Sequence, residues 1–441
     1  MQTVKIRKII KTDNAKLEAI IKSVLTELNC NIPGTAYYDK ETEAMFEAYQ
    51  NEKTAYFVAE LNGEIVGGCG IGTLENFICE LQKMYILPDA RKHKIGFKLL
   101  QKCIDFAKEK DYDSIYLETF PQMKAAIALY QKNGFQKTPN AIGNTCHYSC
   151  NVWLLKPLKR SLFTLKNEFL NSLENTYSKE ESEYYFNLLA NHYLHLSRVD
   201  IALNPNTIVY EKDLNLFYDA LKKLKNQEPI QYILGETEFY HTVFNVNKNV
   251  LIPRPETEEL VDWIIQDAKN HPSEISILDI GTGSGCIAIS LAKNLHANVK
   301  ALDISKKALE VVKKNAIFNE VTIDLLEENI LDSTLLFQNK LDIIVSNPPY
   351  VREMEKQQMH QNVLENEPHL ALFVSDKNPL LFYTKIANFA KKNLDKNGKL
   401  YFEINEYLGN ETVKMLQNKG FKNIILKKDL FGKDRMIRCE L

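Results

Sequence analysis

The fold is decided by one stretch, Leu341-Asp342-Ile343-Ile344-Val345-Ser346-Asn347-Pro348-Pro349-Tyr350. Its first six residues are mostly apolar and β-branched, and two prolines stop the run. This pattern predicts a buried parallel strand that ends in a stiff turn. Open α/β sheets bind ligands at the carboxyl ends of such strands. The stretch therefore predicts an α/β fold with a binding site that begins at Asn347.

The turn from Asn347 to Tyr350 suits the methylation of a planar nitrogen whose lone pair is delocalised. The Asn347 side-chain oxygen and the Pro348 carbonyl can accept the two hydrogens of an amide or amine NH2, and neither Pro348 nor Pro349 has a backbone N–H. Tyr350 can stack on the flat group and align its nitrogen with an incoming methyl. The alternative is a proline-terminated strand with an incidental aromatic residue.

A glycine-rich loop precedes this turn in the chain and follows a strand predicted at 275–280. Gly281-Thr282-Gly283-Ser284-Gly285 leads into the helical residues 286–291. Glycines let a ligand approach the backbone, and a helix start offers free N–H groups. The dinucleotide fingerprint Gly-x-Gly-x-x-Gly is not met because Cys286 stands at its third glycine position, which disfavours a nicotinamide cofactor.

Two aspartates accompany the glycine loop. Asp303 ends a second predicted strand, 299–304, and lies 22 positions after Gly281, where a carboxylate can accept both ribose hydroxyls of a nucleoside. Asp279 ends the first strand and can face the positive part of a sulfonium ligand, directly or through the loop amides. The alternative is that each aspartate only caps its own turn.

This order of strand, glycine loop, acidic second strand and Asn-Pro-Pro-Tyr resembles the class I S-adenosylmethionine-dependent methyltransferases. The resemblance implies a Rossmann-like seven-stranded sheet and places Ile330, after the third strand, beside the adenine ring. Further strands are predicted at 321–325, 399–404, 422–426 and 436–440. The last two are expected to pair antiparallel at the sheet edge.

The C-terminal part, about 160–441, closely resembles the HemK/PrmC protein-glutamine N5-methyltransferases. The segments that carry this resemblance are 229–235, 251–258, 279–285, 346–351, 365–368, 371–372 and 403–404. The family methylates the glutamine of the Gly-Gly-Gln motif of peptide chain release factors and contacts them through a helical N-terminal region. The resemblance assigns Gly281 to Gly285, Asp303 and Asn347 to S-adenosylmethionine, and Asn347, Pro348, Pro349 and Tyr350 to the glutamine. We expect no strong base, because the sulfonium is already an activated donor.

The helical region is predicted at 160–236. Leu162, Leu165, Phe169 and Leu173 fall on one helix face, and Ser178 with Glu181 forms a capping box. A rival hypothesis is an adenine-N6 nucleic-acid methyltransferase, because Asn-Pro-Pro-Tyr also occurs in that class. Such an enzyme needs a basic, aromatic recognition surface, and this region is not notably basic. In the following loop, Arg254 and Glu256 contact substrate or fix the loop, and Thr257 or Glu256 caps the next helix.

The first 155 residues alternate strands and helices. Strands are predicted at 55–61, 64–72, 80–87 and 114–119, with a last one near 146–155. Asn62-Gly63 predicts a hairpin between the first two. One helix carries Ile95, Leu99, Leu100, Cys103, Ile104 and Ala107 on a single face, and another spans 122–132.

A basic turn, Arg91-Lys92-His93-Lys94-Ile95-Gly96, opens the first of these helices and suits a pyrophosphate. With Leu129 to Phe135, this arrangement resembles the GNAT acetyltransferases over about residues 3–155. The resemblance implies that acetyl-CoA binds at Arg91, Lys94 and Gly96. Lys94 fills a position that is usually glycine in the family, where its side chain either crowds the pyrophosphate or adds a cation.

The resemblance gives Tyr130 the role of protonating the departing thiolate and Glu80, or a water, the role of base. The alternatives are that Tyr130 packs in the core and that Glu80 is a solvated strand residue. A non-catalytic binding module is the corresponding alternative for the whole N-terminal part. The resemblance also implies that residues 29–39 belong to the segments that set acceptor specificity.

Composition sets the outer bounds. The 441 residues are 45% hydrophobic and 25% charged with a formal charge of −2, so nothing drives the whole chain to nucleic acid or to a membrane. The eight cysteines form no Cys-x-x-Cys pair, and Cys146, His147 and Cys150 lack a second ligand pair, so we expect no metal and a reducing compartment. Without a signal peptide or an apolar span, we expect a cytoplasmic protein. The predicted domains are 1–155, 160–236 and 237–441, with a boundary at 156–160.

Overall fold

The computed structural model describes residues 3–145, 148–359 and 361–441. The chain separates into two compact units, Met1–Leu221 and Lys222–Leu441. Cys146 and His147, two residues weighed above as metal ligands, lie outside the described residues. The division of the chain into three domains stays a prediction.

The first unit begins with an α/β region and continues into a helical one. Its strands are β1 Val4–Lys8, β2 Ala55–Leu61, β3 Glu64–Glu75, β4 Ile78–Ile86, β5 Ser114–Thr119, β6 Gln136–Lys137, β7 Val152–Pro157, β8 Lys159–Ser161 and β9 Ile208–Tyr210. Its helices are α1 Asn14–Glu27, α2 Met45–Ala48, α3 Ile95–Glu109, α4 Lys124–Lys132, α5 Leu162–Leu173, α6 Lys179–Leu194, α7 Arg198–Leu203 and α8 Glu211–Lys225, the last of which contains the dividing point. Short 3-10 helices span Lys11–Asp13, Lys40–Glu43 and Pro88–His93.

The large sheet of this unit has the order β1-β2-β3-β4-β5-β7-β6. Only β4 and β5 run parallel, and they pair only over Ile78–Glu80 and Ser114–Tyr116. Beyond Glu80 the two strands diverge. Lys83, in β4, has a φ of 49°, and the β3–β4 register shifts between Gly68 and Gly70, so the strand bulges where it leaves its neighbour.

The hairpin predicted at Asn62-Gly63 is confirmed, because both residues have positive φ angles of 55° and 90° between β2 and β3. The helix predicted at 122–132 begins two residues later, at Lys124, after the turn at Met123. The strand predicted near 146–155 is observed at Val152–Pro157. Strand β1 and helix α1 were not predicted.

The helical region begins without a linker. Strand β7 ends at Pro157, Leu158 is 3% exposed, and β8 begins at Lys159. The four predicted core positions of α5 are all buried. The predicted capping box of α6 is confirmed, since Ser178 Oγ accepts from Glu181 N at 3.2 Å and Glu181 Oε2 accepts from Ser178 N at 3.0 Å.

Glu211, at the start of α8, connects this region to the α/β region of the same unit. Its carboxylate pairs with Lys108 of α3 and Lys156 of β7, each at 2.5 Å. Lys156 is buried, and its ammonium also donates to the Asn133 carbonyl at 2.7 Å. The two lysines hold the pKa of Glu211 below its usual value although burial opposes this.

The second unit contains a second large sheet. Its strands are β10 Glu236–Phe239, β11 Thr242–Asn245, β12 Ile275–Ile280, β13 Ala297–Asp303, β14 Asp324–Glu327, β15 Leu341–Ser346, β16 Val351–Arg352, β17 Phe373–Val374, β18 Leu394–Glu403, β19 Lys422–Lys428 and β20 Asp434–Glu440. Its helices are α9 Ile230–Leu234, α10 Pro255–Ala268, α11 Cys286–Asn294, α12 Lys306–Phe318, α13 Gln361–Asn366, α14 His369–Leu372, α15 Leu381–Asn393 and α16 Gly409–Asn418, with a 3-10 helix at Glu353–Gln358.

This sheet has the order β14-β13-β12-β15-β18-β20-β19. The first five strands are parallel, and β20 lies antiparallel between β18 and β19. The predicted seven-stranded sheet, including its antiparallel edge, is confirmed. Buried apolar side chains cover both faces, as a parallel sheet requires.

One strand prediction was misplaced. The strand predicted at 321–325 lies at Asp324–Glu327. Glu320 has a φ of 57°, and Val321 N donates to Ala316 O at 3.0 Å. Val321 thus closes the end of α12 and supplies its apolar side chain to the core from a turn.

None of the helices within 3–145, 148–359 and 361–441 combines the length and apolar character needed to cross a membrane. The seven cysteines in these ranges are free.

The Glu211 contacts yield the first prediction. Glu211→Gln removes the charge opposite Lys156 and leaves a buried ammonium with only a carbonyl partner, so we expect a loss of about 3 kcal/mol in the free energy of unfolding. Urea denaturation measures this loss. Glu180→Gln, at an exposed position of α6, is the matched control, and equal effects in both variants would contradict the structural role of Glu211.

Candidate active site in the second unit

The strand register brings the two predicted ligand-binding loops together. Ile280, the last residue of β12, lies opposite Ser346 of β15 on one side and opposite Leu302 of β13 on the other. Gly281, Asn347 and Asp303 therefore lie together at the carboxyl ends of neighbouring parallel strands. The connections that follow these strands diverge there. Ser346 Oγ reinforces this pairing by donating to Ile280 O at 2.6 Å.

The three glycines of the loop are needed for different physical reasons. All three have positive φ, 74° at Gly281, 56° at Gly283 and 82° at Gly285. A Cβ at Gly281 or Gly283 would meet no atom within 4 Å, whereas one at Gly285 would lie 2.9 Å from Val312 Cγ1. Gly285 is thus required for packing, and the first two keep an open space free above the backbone. A side chain would fill that space, which is the cradle a ligand needs.

Asp303 closes the loop against β13. Its Oδ2 accepts from Gly283 N at 3.0 Å and its Oδ1 from Ser305 N at 2.8 Å. Burial raises the pKa of Asp303, and these two amides oppose the shift. A carboxylate has about four lone-pair sites, so this group can still accept two hydroxyls.

Asp279 is fully buried behind the loop. Its Oδ2 accepts the Thr282 hydroxyl at 2.7 Å, so it supports the loop from below. Burial raises the pKa of Asp279 to about 7, an effect that the Thr282 hydroxyl opposes. Its predicted role toward a sulfonium ligand stays a prediction.

A cavity of about 210 Å³ opens at this edge. The predicted site residues that line it are Gly281, Gly283, Asp303, Ile330, Asn347, Pro348 and Pro349. Among the described residues, Asp279, Thr282, Ser284, Gly285 and Tyr350 do not line it. The lining also includes Leu251, Pro368, Leu370 and Phe382. Phe382 belongs to α15 and was missed, because an apolar helical residue carries no motif.

A buried polar chain runs beneath the Asn-Pro-Pro-Tyr turn. Asn347 Nδ2 donates to Thr257 Oγ1 at 3.3 Å, and Thr257 Oγ1 donates to Glu403 Oε2 at 2.6 Å. Tyr350 OH donates to the other oxygen of Glu403 at 3.2 Å. Thr257 was predicted as a helix cap, but α10 begins without a side-chain cap, and the hydroxyl contacts Glu403 instead.

Tyr350 is partly buried against the core below the turn. Burial raises the pKa of its hydroxyl, and the neighbouring Glu403 adds to the effect. The phenol is therefore protonated at neutral pH. Its predicted stacking on a flat substrate group stays a prediction.

The loop before α10 is fixed by an ion pair. Arg254 donates to Glu367 Oε1 at 2.6 Å, and Glu367 Oε2 accepts from Ile252 N at 3.3 Å. The Glu367 side chain is 1% exposed. Of the two interpretations given above for Arg254, the structure supports the one in which it fixes the loop.

The catalytic candidates of the first unit lie at the divergence of β4 and β5. Glu80 is buried and accepts from Gln82 Nε2 at 2.6 Å, while Gln82 Oε1 accepts from Tyr49 OH at 2.8 Å. Tyr130 is 5% exposed, and its hydroxyl lies 3.5 Å from Met84 Sδ. Both side chains are thus buried, and no hydrogen bond described here joins them.

The basic turn of the first unit has an unusual backbone. Lys94 has a φ of 57° and is the N-cap of α3, a conformation that costs a non-glycine residue about 1–2 kcal/mol. Arg91 pairs with Glu27 at 2.6 Å and also donates to Ile86 O at 3.1 Å. Gly96 lies close to β4 and α4, because a Cβ there would meet Leu129, Ile86 and Met84 at 3.3–3.4 Å.

Three family models match successive parts of the chain. The acetyltransferase (GNAT) family matches residues 23–135, the PrmC N-terminal domain 167–235 and the methyltransferase small domain 261–372. The two resemblances inferred from the sequence are thereby confirmed.

Relatives match the C-terminal part over nearly their full length. A protein of Flavobacterium psychrophilum named release factor glutamine methyltransferase is 54% identical over 276 residues, which covers 62% of this chain and 96% of that protein. One of Bacteroides thetaiotaomicron with the same name is 42% identical, covering 60% and 95%. Among solved structures, an acetyltransferase of the GNAT family from Staphylococcus aureus is 27% identical, covers 35% of this chain and 99% of its own, and has a TM-score of 0.32.

The buried Asp279 yields a prediction on stability. Because its pKa is raised from its ordinary value to about 7, the folded protein binds more protons than the unfolded chain between about pH 4 and about pH 7, and stability falls as pH rises through this range. Asp279→Asn removes the penalty and keeps an acceptor for Thr282. The free energy of unfolding of the variant, relative to that of the wild type, should therefore rise by a few kcal/mol from about pH 5 to about pH 8. Urea midpoints of both proteins at both pH values measure this gain. Stabilities that change equally with pH in the two proteins would contradict it.

Proposed function

Because this chain belongs to the release factor glutamine methyltransferase family, we propose that it methylates the side-chain nitrogen N5 of the glutamine in the Gly-Gly-Gln motif of peptide chain release factors. The methyl donor is S-adenosylmethionine. The match of residues 167–235 to the PrmC N-terminal domain supports a release factor as the protein partner. The rival adenine-methylating activity shares the Asn-Pro-Pro-Tyr motif but needs a basic recognition surface, and the helical region 160–236 is not notably basic.

The observation that carries this proposal is the register of β12 and β15, which gives one cavity a glycine cradle and an acceptor-rich turn. Gly281 and Gly283 leave space for the donor, and Asp303 retains lone pairs for ribose hydroxyls. Asn347 and Pro348 line the same cavity. A carboxamide held there lies beside the donor.

The residues of the chain act by alignment. S-adenosylmethionine supplies a methyl group activated by its positive sulfur. The Asn347 Oδ1 atom and the Pro348 carbonyl accept the two hydrogens of the glutamine NH2, which leaves the nitrogen lone pair directed at the methyl. Tyr350 supports the turn through its bond to Glu403, and its protonated hydroxyl cannot act as a base. The excess proton on nitrogen leaves after the transfer.

Replacement of Asn347 tests this function. Asn347→Ala should lower turnover on a purified release factor roughly a hundredfold or more, because an aligned polar contact to the reacting group is lost. Calorimetric binding of S-adenosylmethionine should change little. Asn298→Ala, an exposed position at the amino end of β13, is the control, and normal turnover by Asn347→Ala would overturn the assigned role.

For the first unit we propose an acetyl-CoA-dependent acyl transfer to an acceptor not yet identified. Support comes from the GNAT match, the divergent parallel strands and the helix start at Lys94. Tyr130 and Glu80 are proposed as acid and base. The competing hypothesis is a non-catalytic binding module.

Titration of the full chain with acetyl-CoA tests the enzyme hypothesis: saturable binding is expected, and the absence of binding would eliminate it. Lys94→Gly should stabilise the protein by about 1 kcal/mol, since glycine adopts the observed φ without strain. It should also bind acetyl-CoA at least as tightly, because every backbone N–H of the turn is kept. Weaker binding by the variant would instead assign the pyrophosphate to the Lys94 charge.

A further inference from the structure

We propose that Thr257 and Glu403 hold the Asn347 amide in one of its two orientations and so make the site select a carboxamide over a carboxylate. The inference rests on the proposed function and adds two residues to it. Neither residue lines the cavity. They are positioning residues that act through Asn347.

Thr257 and Glu403 form a buried contact below Asn347. Thr257 lies in the first turn of α10, Glu403 ends β18, and each residue is 1% exposed. Phe402 pairs with Ser346 in the sheet. The next residues along these two parallel strands, Glu403 and Asn347, therefore lie side by side at the end of the sheet. The Thr257 hydroxyl connects them with bonds of 2.6 and 3.3 Å.

The direction of these bonds follows from the number of protons. A threonine hydroxyl has a single proton, and Thr257 gives it to Glu403, whose other oxygen accepts from Tyr350. Only lone pairs of Thr257 then face Asn347. Asn347 must present its NH2 group there, because its oxygen would meet another acceptor.

The geometry gives Glu403 this accepting role, because its two oxygens face the hydroxyls of Thr257 and Tyr350. Burial raises its pKa, but the Thr257 hydroxyl, the Arg435 charge and the Tyr350 hydroxyl oppose that shift. Glu403 thus contacts Tyr350, the last residue of the Asn-Pro-Pro-Tyr turn, directly and Asn347, the first residue, through Thr257. We infer that it fixes the turn as a unit.

Selectivity follows from the orientation of Asn347. With its nitrogen facing Thr257, Asn347 directs Oδ1 away from Thr257 and offers the cavity an acceptor. The Pro348 carbonyl is a second acceptor, and Pro348 and Pro349 have no N–H to offer. A glutamine NH2 satisfies both acceptors, whereas a glutamate carboxylate brings only further acceptors. A site that leaves buried polar groups unpaired rejects such an analogue strongly.

A reversed Asn347 amide would remove this selectivity. Its nitrogen would then face the cavity and could donate to a carboxylate. The Thr257 hydroxyl is the contact that disfavours this state. We therefore expect the loss of one buried hydroxyl to alter which side chain the site accepts.

The test compares the wild type with Thr257→Val, which has nearly the same shape but no hydroxyl. The substrate is a purified release factor, and the competitor is the same factor with Gly-Gly-Glu in place of Gly-Gly-Gln. We expect Thr257→Val to lower kcat by at least about tenfold. We also expect the ratio of the inhibition constant of the competitor to the KM of the substrate to fall by at least about tenfold. Thr257→Ser, which restores the hydroxyl, should restore both.

Two further variants separate positioning from general damage. Thr412→Val removes a buried hydroxyl that donates to Leu408 O at 2.7 Å in α16, and its ratio should equal that of the wild type. Glu403→Met has a side chain of similar length with no acceptor oxygen for the Thr257 hydroxyl, and it should lower the ratio in the same direction as Thr257→Val. It provides a second test should Thr257→Val fold poorly.

The outcomes distinguish failure of this inference from failure of the proposed function on which it rests. A wild type that methylates no release factor overturns the proposed function. If the wild type is active and both Thr257→Val and Glu403→Met leave the discrimination unchanged, only the positioning role is overturned. A lower kcat with an unchanged ratio would likewise leave Thr257 with a purely structural role.

Discussion

The pairing of β12 with β15 is the constraint on which the candidate active site depends. Both strands end in sequences that cannot continue a sheet, glycine after Ile280 and proline after Asn347, and their last residues lie directly opposite each other. A slip of one residue would turn every side chain of one strand to the other face. The Ser346 hydroxyl, bonded to Ile280 O, adds a contact that only this register allows. The glycine loop and the Asn-Pro-Pro-Tyr turn are thus aligned by the sheet itself.

The parts of the fold that sequence predicts well are those with strong local signals. Strands Ile275–Ile280 and Leu341–Ser346 lie where the pattern predicts them, because each is an apolar run bounded by glycine or proline. The Asn62-Gly63 hairpin was likewise predictable from a strong local signal. Val321 was assigned to a strand because apolarity does not distinguish a strand from a turn that packs on the core.

The candidate active site was predictable where residues belong to motifs that line the cavity and not where residues support one another below it. Gly283, Asp303 and Asn347 belong to motifs whose chemistry can be read directly. The contact of Thr257 with Glu403 spans 146 positions, and no local pattern announces it. Asp279 shows a second limit of prediction from sequence. The motif that contains it was recognised, but only the structure shows that it lies behind the loop.

The absence of a spacer between β7 and β8 has a consequence for how this chain can be divided. Only Leu158 separates the two strands, and it is buried. A protease needs several extended, accessible residues to cleave, so the junction should resist limited digestion. Truncation there would also uncover Leu158 and separate Lys156 from Glu211. A break point for expressing the fragments singly is therefore better placed elsewhere, because the α/β region and the helical region are continuous at this junction.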